Sequence, residues 1–262
     1  MRYQKTHAIV LYARKTGEHD KYVHLFSMEM GKVKALATGS RKITAKLLAA
    51  TEPVTETEFM LYLNSRTSRV RIVGGVLKDM FSPLKTDIRR YSCACAVVNL
   101  VDSLTPEHEK DIHKYLLLKR TLELLETSSN PGRIYLAFAV RFMKICGYGL
   151  DLNKCASCKT EIPYGEAARK SGIISFSLKD KGLVCSDCYN ENDFEPVNIS
   201  PQALQFFRQL SKLPGEDVDR LEVSGKTEEL VDSLIRNYLR EFLPYSLKTQ
   251  MFVKRYTEEV LG

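Results

Sequence analysis

This chain of 262 residues lacks the local signatures of several large enzyme classes. It contains no G-x-x-x-x-G-K-[ST] phosphate loop, no G-x-G-x-x-G turn, no G-x-S-x-G elbow and no H-E-x-x-H helix. NTPase, dehydrogenase, serine hydrolase and zinc-protease chemistry are therefore disfavoured. No run of eighteen apolar residues is present to span a bilayer, and Met1-Arg-Tyr-Gln-Lys-Thr lacks the apolar core and cleavage site of a secretory signal. A cytosolic, non-membrane protein is expected. Acids are scarce at the N-terminal end: residues 1–80 carry fourteen Lys and Arg against seven Asp and Glu, which accounts for the whole net charge of +7. So concentrated a basic segment points to a polyanionic partner, nucleic acid before an anionic membrane surface.

Persuasive catalytic clusters are scarce too. Glu18-His19-Asp20 is the densest titratable group, and two carboxylates beside an imidazole could do acid/base work. Behind Gly17, however, they read as turn residues that balance Arg14, Lys15 and Lys21, so a nuclease or other hydrolase is a weak third reading. His108 and His113 are five apart, on different faces of a helix, and make poor ligands.

What the sequence does contain is, first, a strand-like period. His7–Arg14, Tyr22–Met28, Gly31–Thr38, Val54–Leu63 and Ser68–Leu77 are apolar or alternating segments separated by turn signals such as Met30-Gly31 and Thr38-Gly-Ser. Strands so short and numerous suggest a closed barrel without exposed edges, an OB-fold first and an SH3-like barrel second. Alternation puts Val33, Ala35 and Ala37 inside and Lys32 and Lys34 outside; likewise Val70 and Ile72 oppose Arg69 and Arg71. Oligonucleotides bind OB-folds mainly across strands two and three and the flanking loops. Candidate nucleic-acid contacts are Arg14, Lys32, Lys34, Arg41, Lys42, Lys46, Arg69 and Arg71. Tyr22 and Tyr62 could stack on bases, but read first as barrel core or rim.

Second, Cys155-Ala-Ser-Cys158 and Cys185-Ser-Asp-Cys188 are two C-x2-C pairs separated by twenty-six residues. Each pair curls two thiolates onto one side of a turn, and two such turns close around a tetrahedral Zn²⁺. Four thiolates leave no open coordination position, so the expected role is structural, with one Zn²⁺ per chain. Cys93, Cys95 and Cys146 lie in apolar helical patterns and read as small hydrophobes.

Third, from residue 82 the period becomes helical. Ser82-Pro83, Thr105-Pro106, Asn130-Pro131 and Ser200-Pro201 each pair an N-cap residue with proline and predict four helix starts. Leu84, Ile88, Tyr91, Cys95, Val98 and Val101 form the first expected stripe; Ile112, Leu116, Lys119 and Leu122 form the second, widened by Tyr115, Leu118 and Leu125. The third helix, Ile134–Ile145, is apolar nearly all round, with Arg133, Arg141 and Lys144 expected as a solvated edge. Leu204, Phe207 and Leu210 mark a fourth, Leu230, Leu234, Tyr238 and Phe242 a fifth, and Leu247–Val260 a last amphipathic segment. The expected fold class is α+β multidomain: an OB-fold barrel (1–80), a helical bundle domain (81–150 and 196–262) and an inserted four-cysteine zinc-ribbon-like module (151–195).

A family resemblance runs through these segments in order. Ala8-Ile-Val-Leu-x-x-Arg14-x-x-Gly17-Glu-x-Asp20-Lys, Leu25-Phe-Ser-x-x-x-Gly31-Lys-Val and Ala37-x-Gly39-Ser-Arg41-Lys42 resemble the amino-terminal signature of RecO, the bacterial recombination mediator. Phe138-x-x-Arg141-Phe-Met-x-x-x-Gly147-Tyr-x-x-Asp151-Leu-x-x-Cys155-x-x-Cys158 and Leu239-x-x-Phe242-x-x-x-Ser246-Leu-Lys248-Thr are similar to its later segments. Gly39-Ser-Arg41-Lys42 departs from that family's Gly-Ala-Arg-Arg form but keeps the charge. The resemblance implies an OB-fold, a helical domain and a zinc module. It further implies a non-enzymatic protein of DNA repair and recombination that binds single- and double-stranded DNA and anneals complementary strands. The implied partners are RecR, single-strand-binding protein and, indirectly, RecA, in the bacterial cytoplasm at the nucleoid. A zinc-ribbon transcription or RNA-binding factor is the alternative.

Overall fold

The structure, a computed structural model, describes residues 2–40, 47–64, 67, 69–163, 174–177, 180–189 and 197–242. Five strands open the chain: β1 (Arg2–Thr16), β2 (Asp20–Ser27), β3 (Gly31–Ala37), β4 (Glu56–Leu63) and β5 (Val70–Asp79). They close in the order β1-β2-β3-β5-β4, with β4 returning to β1. Every pairing is antiparallel except the short parallel contact of β3 with β5, where Ala35, Leu36 and Ala37 face Val70, Arg71 and Ile72. This Greek-key closure is the OB-fold arrangement.

The barrel closes because alternate residues are apolar and small enough to share its interior. Ala8, Val10, Val23, Leu25, Val33, Ala35, Ala37, Phe59, Leu61, Val70 and Ile72 fill it. Burying each larger side chain contributes roughly 1.5–3 kcal/mol. A register shift between Val10 and Tyr12 bends β1, so that one long strand can pair with β2 on one side and β4 on the other.

Helices follow: α1 (Ser82–Thr86), α2 (Ile88–Leu104), α3 (Ile112–Thr127) and α4 (Pro131–Ile145). The single first helix expected from Leu84 to Val101 is broken at Asp87, whose carboxylate caps α2 by accepting from the N–H groups of Arg89 and Arg90. Two of the four expected starts differ. Ser82 does not cap α1, where Phe81 holds the N-cap position, and Thr105 ends α2 instead of starting α3. Residues 106–110 run on outside any helix, and Asp111 caps α3 through His113 and Lys114. The α3 stripe is also rotated: Tyr115, Leu118, Leu122 and Leu125 are buried, whereas Ile112 and Leu116 are exposed. Buried Glu56 on β4 explains the phase. It accepts from Tyr115 Oη at 3.1 Å and from Lys119 Nζ at 2.6 Å, and so fixes which side of α3 faces the barrel.

By internal contacts the chain divides into two compact units, the first reaching Tyr135 and the second starting at Leu136. The division falls inside α4 and groups the barrel with α1–α3. In the second unit, Phe138 and Phe142 stack at 5.1 Å. A small sheet of β6 (Ser175–Ser177), β7 (Gly182–Val184) and β8 (Val197–Asn198) follows in the order β7-β6-β8. Helices α5 (Pro201–Lys212), α6 (Gly215–Asp219) and α7 (Gly225–Phe242) complete it. Ser200 caps α5 by accepting from Ala203 N–H. The segment Leu247–Val260 lies outside the described residues. Among the described residues no helix is long and apolar enough to cross a membrane.

Candidate nucleic-acid interface and metal centre

Strand register assembles the outer face of β1, β2, β3 and β5 from two rows of side chains. Arg14 lies opposite Tyr22, Tyr22 opposite Leu36, and Leu36 opposite Arg71, giving a row across all four strands. The adjacent row, two residues away on each strand and therefore on the same face, is Tyr12, His24 and Lys34. Tyr12 and His24 stack with centroids 3.9 Å apart and planes at 21°, and Lys34 Nζ sits 4.8 Å from the Tyr22 ring centroid. Ring faces beside cations are the combination that single-strand-binding surfaces in general use, the rings for bases and the cations for phosphates.

Two compartments open on this face and share Tyr22 and Lys34. One, of about 370 Å³, is lined also by Tyr12, Arg14, Lys15, Thr16 and His24. The other, of about 270 Å³, is lined also by Leu36, Arg69, Val70, Arg71, Glu107 and His108. Of the expected contacts, Arg14, Lys34, Arg69 and Arg71 line these compartments, and Arg41, Lys42 and Lys46 lie outside the described residues. Lys32 points outward from the barrel but is covered: its ammonium donates to the Asp102 carbonyl at 2.5 Å and sits 3.5 Å from that residue's carboxylate. Burial alone would raise the Asp102 carboxyl, but His24 and Lys32 beside it hold it below its ordinary value. Burial first, and then Asp102, raises the Tyr12 phenol above its ordinary value.

Tyr12, Lys15, His24, Glu107 and His108 are absent from the expected set. Tyr12 and His24 were readable, since Tyr12 shares the strand phase of the candidate Arg14 and His24 that of the candidate Tyr22; Lys15, next to Arg14, has the opposite phase and was not. Glu107 and His108 were not, because nothing local to them signals proximity to β3. Tyr62 on β4 lies opposite Arg71 and so extends the first row by one strand, and it packs with Tyr3 at 5.4 Å across the β1–β4 pair. Asp20 accepts the Gly39 N–H at 2.7 Å, a turn-holding role for the Glu18-His19-Asp20 cluster.

The four expected thiols converge in the second unit. The Sγ atoms of Cys155, Cys158, Cys185 and Cys188 all lie within 4.8 Å of one another, with Cys158 and Cys185 at 3.7 Å. A tetrahedron with metal–sulfur bonds near 2.3 Å has edges of about 3.8 Å, so the donor set fits a tetrahedral thiophilic ion. Backbone geometry aims the sulfurs: Cys155 pairs with Leu183 in a parallel bridge, and Ala156 N–H donates to Leu183 O at 2.7 Å. The Thr160 hydroxyl beside Cys158 is the first cause holding that thiol down, to about 6, whereas Cys158 in turn pushes Cys188 up to about 12. Four thiolates this close cannot all ionise unless a cation neutralises them.

Comparison with known proteins matches both parts of the chain. A family model described as recombination protein O N terminal covers residues 1–77, and one described as recombination protein O C terminal covers residues 85–251. The chain belongs to the recombination protein O (RecO) family. A DNA repair protein RecO from Pelotomaculum thermopropionicum is 30% identical over 264 residues, covering 100% of this chain and 98% of that protein. Another, from Heliobacterium modesticaldum, is 31% identical over 242 residues, covering 92% and 85%. A third, from Caldanaerobacter subterraneus, is 26% identical over 259 residues, covering 98% and 100%.

In this RecO-family chain two arginines, Arg208 buried and Arg141 half-buried, build the frame of the cysteine module. Arg208 on α5 donates to the carbonyls of Leu152, Ile162 and Pro163 at 2.7, 2.8 and 3.1 Å, gripping the loop that bears the first cysteine pair. Arg141 on α4 donates to the carbonyls of Leu210 and Leu213, satisfying the C-terminal end of α5. The expected solvated edge Arg133, Arg141 and Lys144 is therefore exposed only at Lys144; Arg133 is buried and Arg141 half-buried. Tyr238 on α7 adds a hydrogen bond to the Tyr148 carbonyl and an edge contact with Phe176 of β6.

Proposed function

We propose that this chain is a non-enzymatic recombination mediator of DNA repair. It binds single- and double-stranded DNA, anneals complementary strands, and helps RecA load onto DNA coated with single-strand-binding protein, in partnership with RecR in the bacterial cytoplasm at the nucleoid. The observation that carries this reading is the cation-and-aromatic face on β1, β2, β3 and β5, in a chain of the RecO family.

Arg14, Lys34, Arg69 and Arg71 neutralise phosphates and gain affinity from counterion release, joined by Arg41, Lys42 and Lys46 of the β3–β4 connection. Lys32 acts one step back, positioned on Asp102 behind the stacked Tyr12 and His24. The ring faces of Tyr12 and Tyr22 accept bases without regard to sequence, which suits a protein that must hold any strand. Annealing needs no bond chemistry: two strands whose phosphates are screened on one surface meet at raised local concentration. Cys155, Cys158, Cys185 and Cys188 hold one structural Zn²⁺, which closes the module but takes no part at the barrel. We keep the three-part reading of barrel (1–80), helical domain (81–150 and 196–262) and zinc module (151–195) as the functional division.

The test is annealing of complementary strands precoated with single-strand-binding protein, without nucleotide or added Mg²⁺. Acceleration by this chain supports the mediator. No acceleration, or metal-dependent loss of intact strands, overturns it.

A further inference from the structure

We propose that the α2–α3 connection, residues 105–111, is a wall of the nucleic-acid groove, and that Glu107 on it disfavours phosphate in its immediate vicinity and favours an unpaired base there, while Lys34, Arg69 and Arg71 of the same compartment take the phosphates. The proposal rests on the reading of the barrel face as a DNA site and deepens it by naming a group that favours single strands over duplex on that face.

The connection lies along an edge that the barrel leaves open. β5 pairs with β3 only at Ala35–Ala37, so the first residues of β3 have no strand partner on that side. The connection takes their place. Lys32 forms a parallel bridge with Glu107, and the His108 N–H, turned by a left-handed φ of 62°, donates to the Lys32 carbonyl at 2.9 Å. Gly31 makes the approach feasible. With φ at +71°, a Cβ there would stand 2.1 Å from the Glu109 carbonyl oxygen. Buried Lys114 pins the far end, its ammonium 2.5 Å from Glu109.

The result is a carboxylate where cations are otherwise collected. Among the described residues Glu107 is the one acid that lines the two compartments, and it forms no ion pair with another of them. It shares the smaller compartment with Tyr22, Lys34, Arg69 and Arg71. A phosphate entering beside Glu107 meets like charge. A base meets none, stacks on Tyr22, and can donate an exocyclic amino hydrogen to the carboxylate. A single strand can splay a base into this space, whereas an intact duplex can offer it only backbone.

The experiment measures affinity for a short mixed-sequence single strand and for the same sequence as duplex, across a salt series. It uses the full chain, Glu107→Lys, Glu107→Gln and the triple variant Lys34→Ala/Arg69→Ala/Arg71→Ala. Glu107 is exposed, so its variants keep the fold. Glu107→Lys is expected to tighten duplex binding more than single-strand binding, lowering the preference about threefold, the size of one exposed charge interaction. Its duplex salt slope should steepen by about 0.9, one added phosphate contact. Glu107→Gln should lower the preference less and leave the slope unchanged. Equal tightening of both forms, or none, overturns the role of Glu107 while leaving the barrel face intact, provided the triple variant weakens single-strand binding. A triple variant that binds like the parent removes the groove from the DNA site and overturns both readings.

Discussion

The barrel face and the cysteine cluster solve opposite problems with polar side chains. On the barrel, Arg14, Lys34, Arg69 and Arg71 are spread over an open surface where their charges stay hydrated and available to a ligand. In the second unit, four thiols are drawn within 4.8 Å of one another and Arg208 is buried against three carbonyls, so polar groups are consumed in holding the chain to itself. The contrast assigns roles. Polar groups buried against partners within the protein build structure; those left exposed are available to a ligand.

The contrast breaks first, and with the largest effect, at the cysteines. If the quartet holds Zn²⁺ as proposed, Cys185→Ser is expected to abolish zinc binding and much of the module's folding free energy, which for thiolate zinc sites is on the order of 10 kcal/mol. Zinc content and thermal unfolding check it. A variant that keeps both parental metal and melting would undo the quartet. DNA binding by the barrel should persist below the new melting temperature.

Arg208→Ala comes next. It leaves the carbonyls of Leu152, Ile162 and Pro163 without their donor and should cost about 3 kcal/mol, read in denaturant titration. On the barrel side of the comparison, Tyr22→Ala should weaken single-strand binding by about 1–3 kcal/mol with a smaller effect on duplex, as a stacking role requires. Equal losses on both forms would assign Tyr22 to structure.

The smallest effect is a pH dependence at Asp102. Its folded pKa lies below the unfolded value, so its stabilising contribution is present above the unfolded value and is lost as pH falls through the folded one. Asp102→Asn should accordingly reduce the acid sensitivity of unfolding below about pH 4. Unchanged acid unfolding would show that the Lys32 and His24 contacts contribute nothing.

Much of this architecture was legible in the sequence, for identifiable reasons. Period-two alternation carried the strands and the outward phase of Lys34, Arg69 and Arg71, because a strand has only two faces. The C-x2-C spacing carried the cysteine cluster, because a tight turn fixes where its two sulfurs go. Helix phase was harder. Ile112 and Leu116 match a stripe as well as Leu118 and Leu122 do, and the choice was made by Glu56, distant in sequence, which binds Tyr115 and Lys119. Thr105-Pro106 reads locally as a helix start, yet the segment after it is used to complete the β3 edge. The long-range partners of Arg208 and Arg141 are backbone carbonyls, which carry no sequence signal, and Lys32 meets the carbonyl and carboxylate of Asp102, distant in sequence as Glu56 is from α3.

The central claim is that DNA is held by exposed cations on the barrel and not by the metal module. The most direct measurement is the salt dependence of single-strand affinity for Lys34→Ala/Arg69→Ala/Arg71→Ala beside Cys185→Ser, the latter below its melting temperature. The barrel triple is expected to flatten the slope by up to about 2, from about 0.7 per lost phosphate contact, while the cysteine variant keeps the parental slope. A barrel triple with the parental slope, or a cysteine variant that loses it, would contradict the claim.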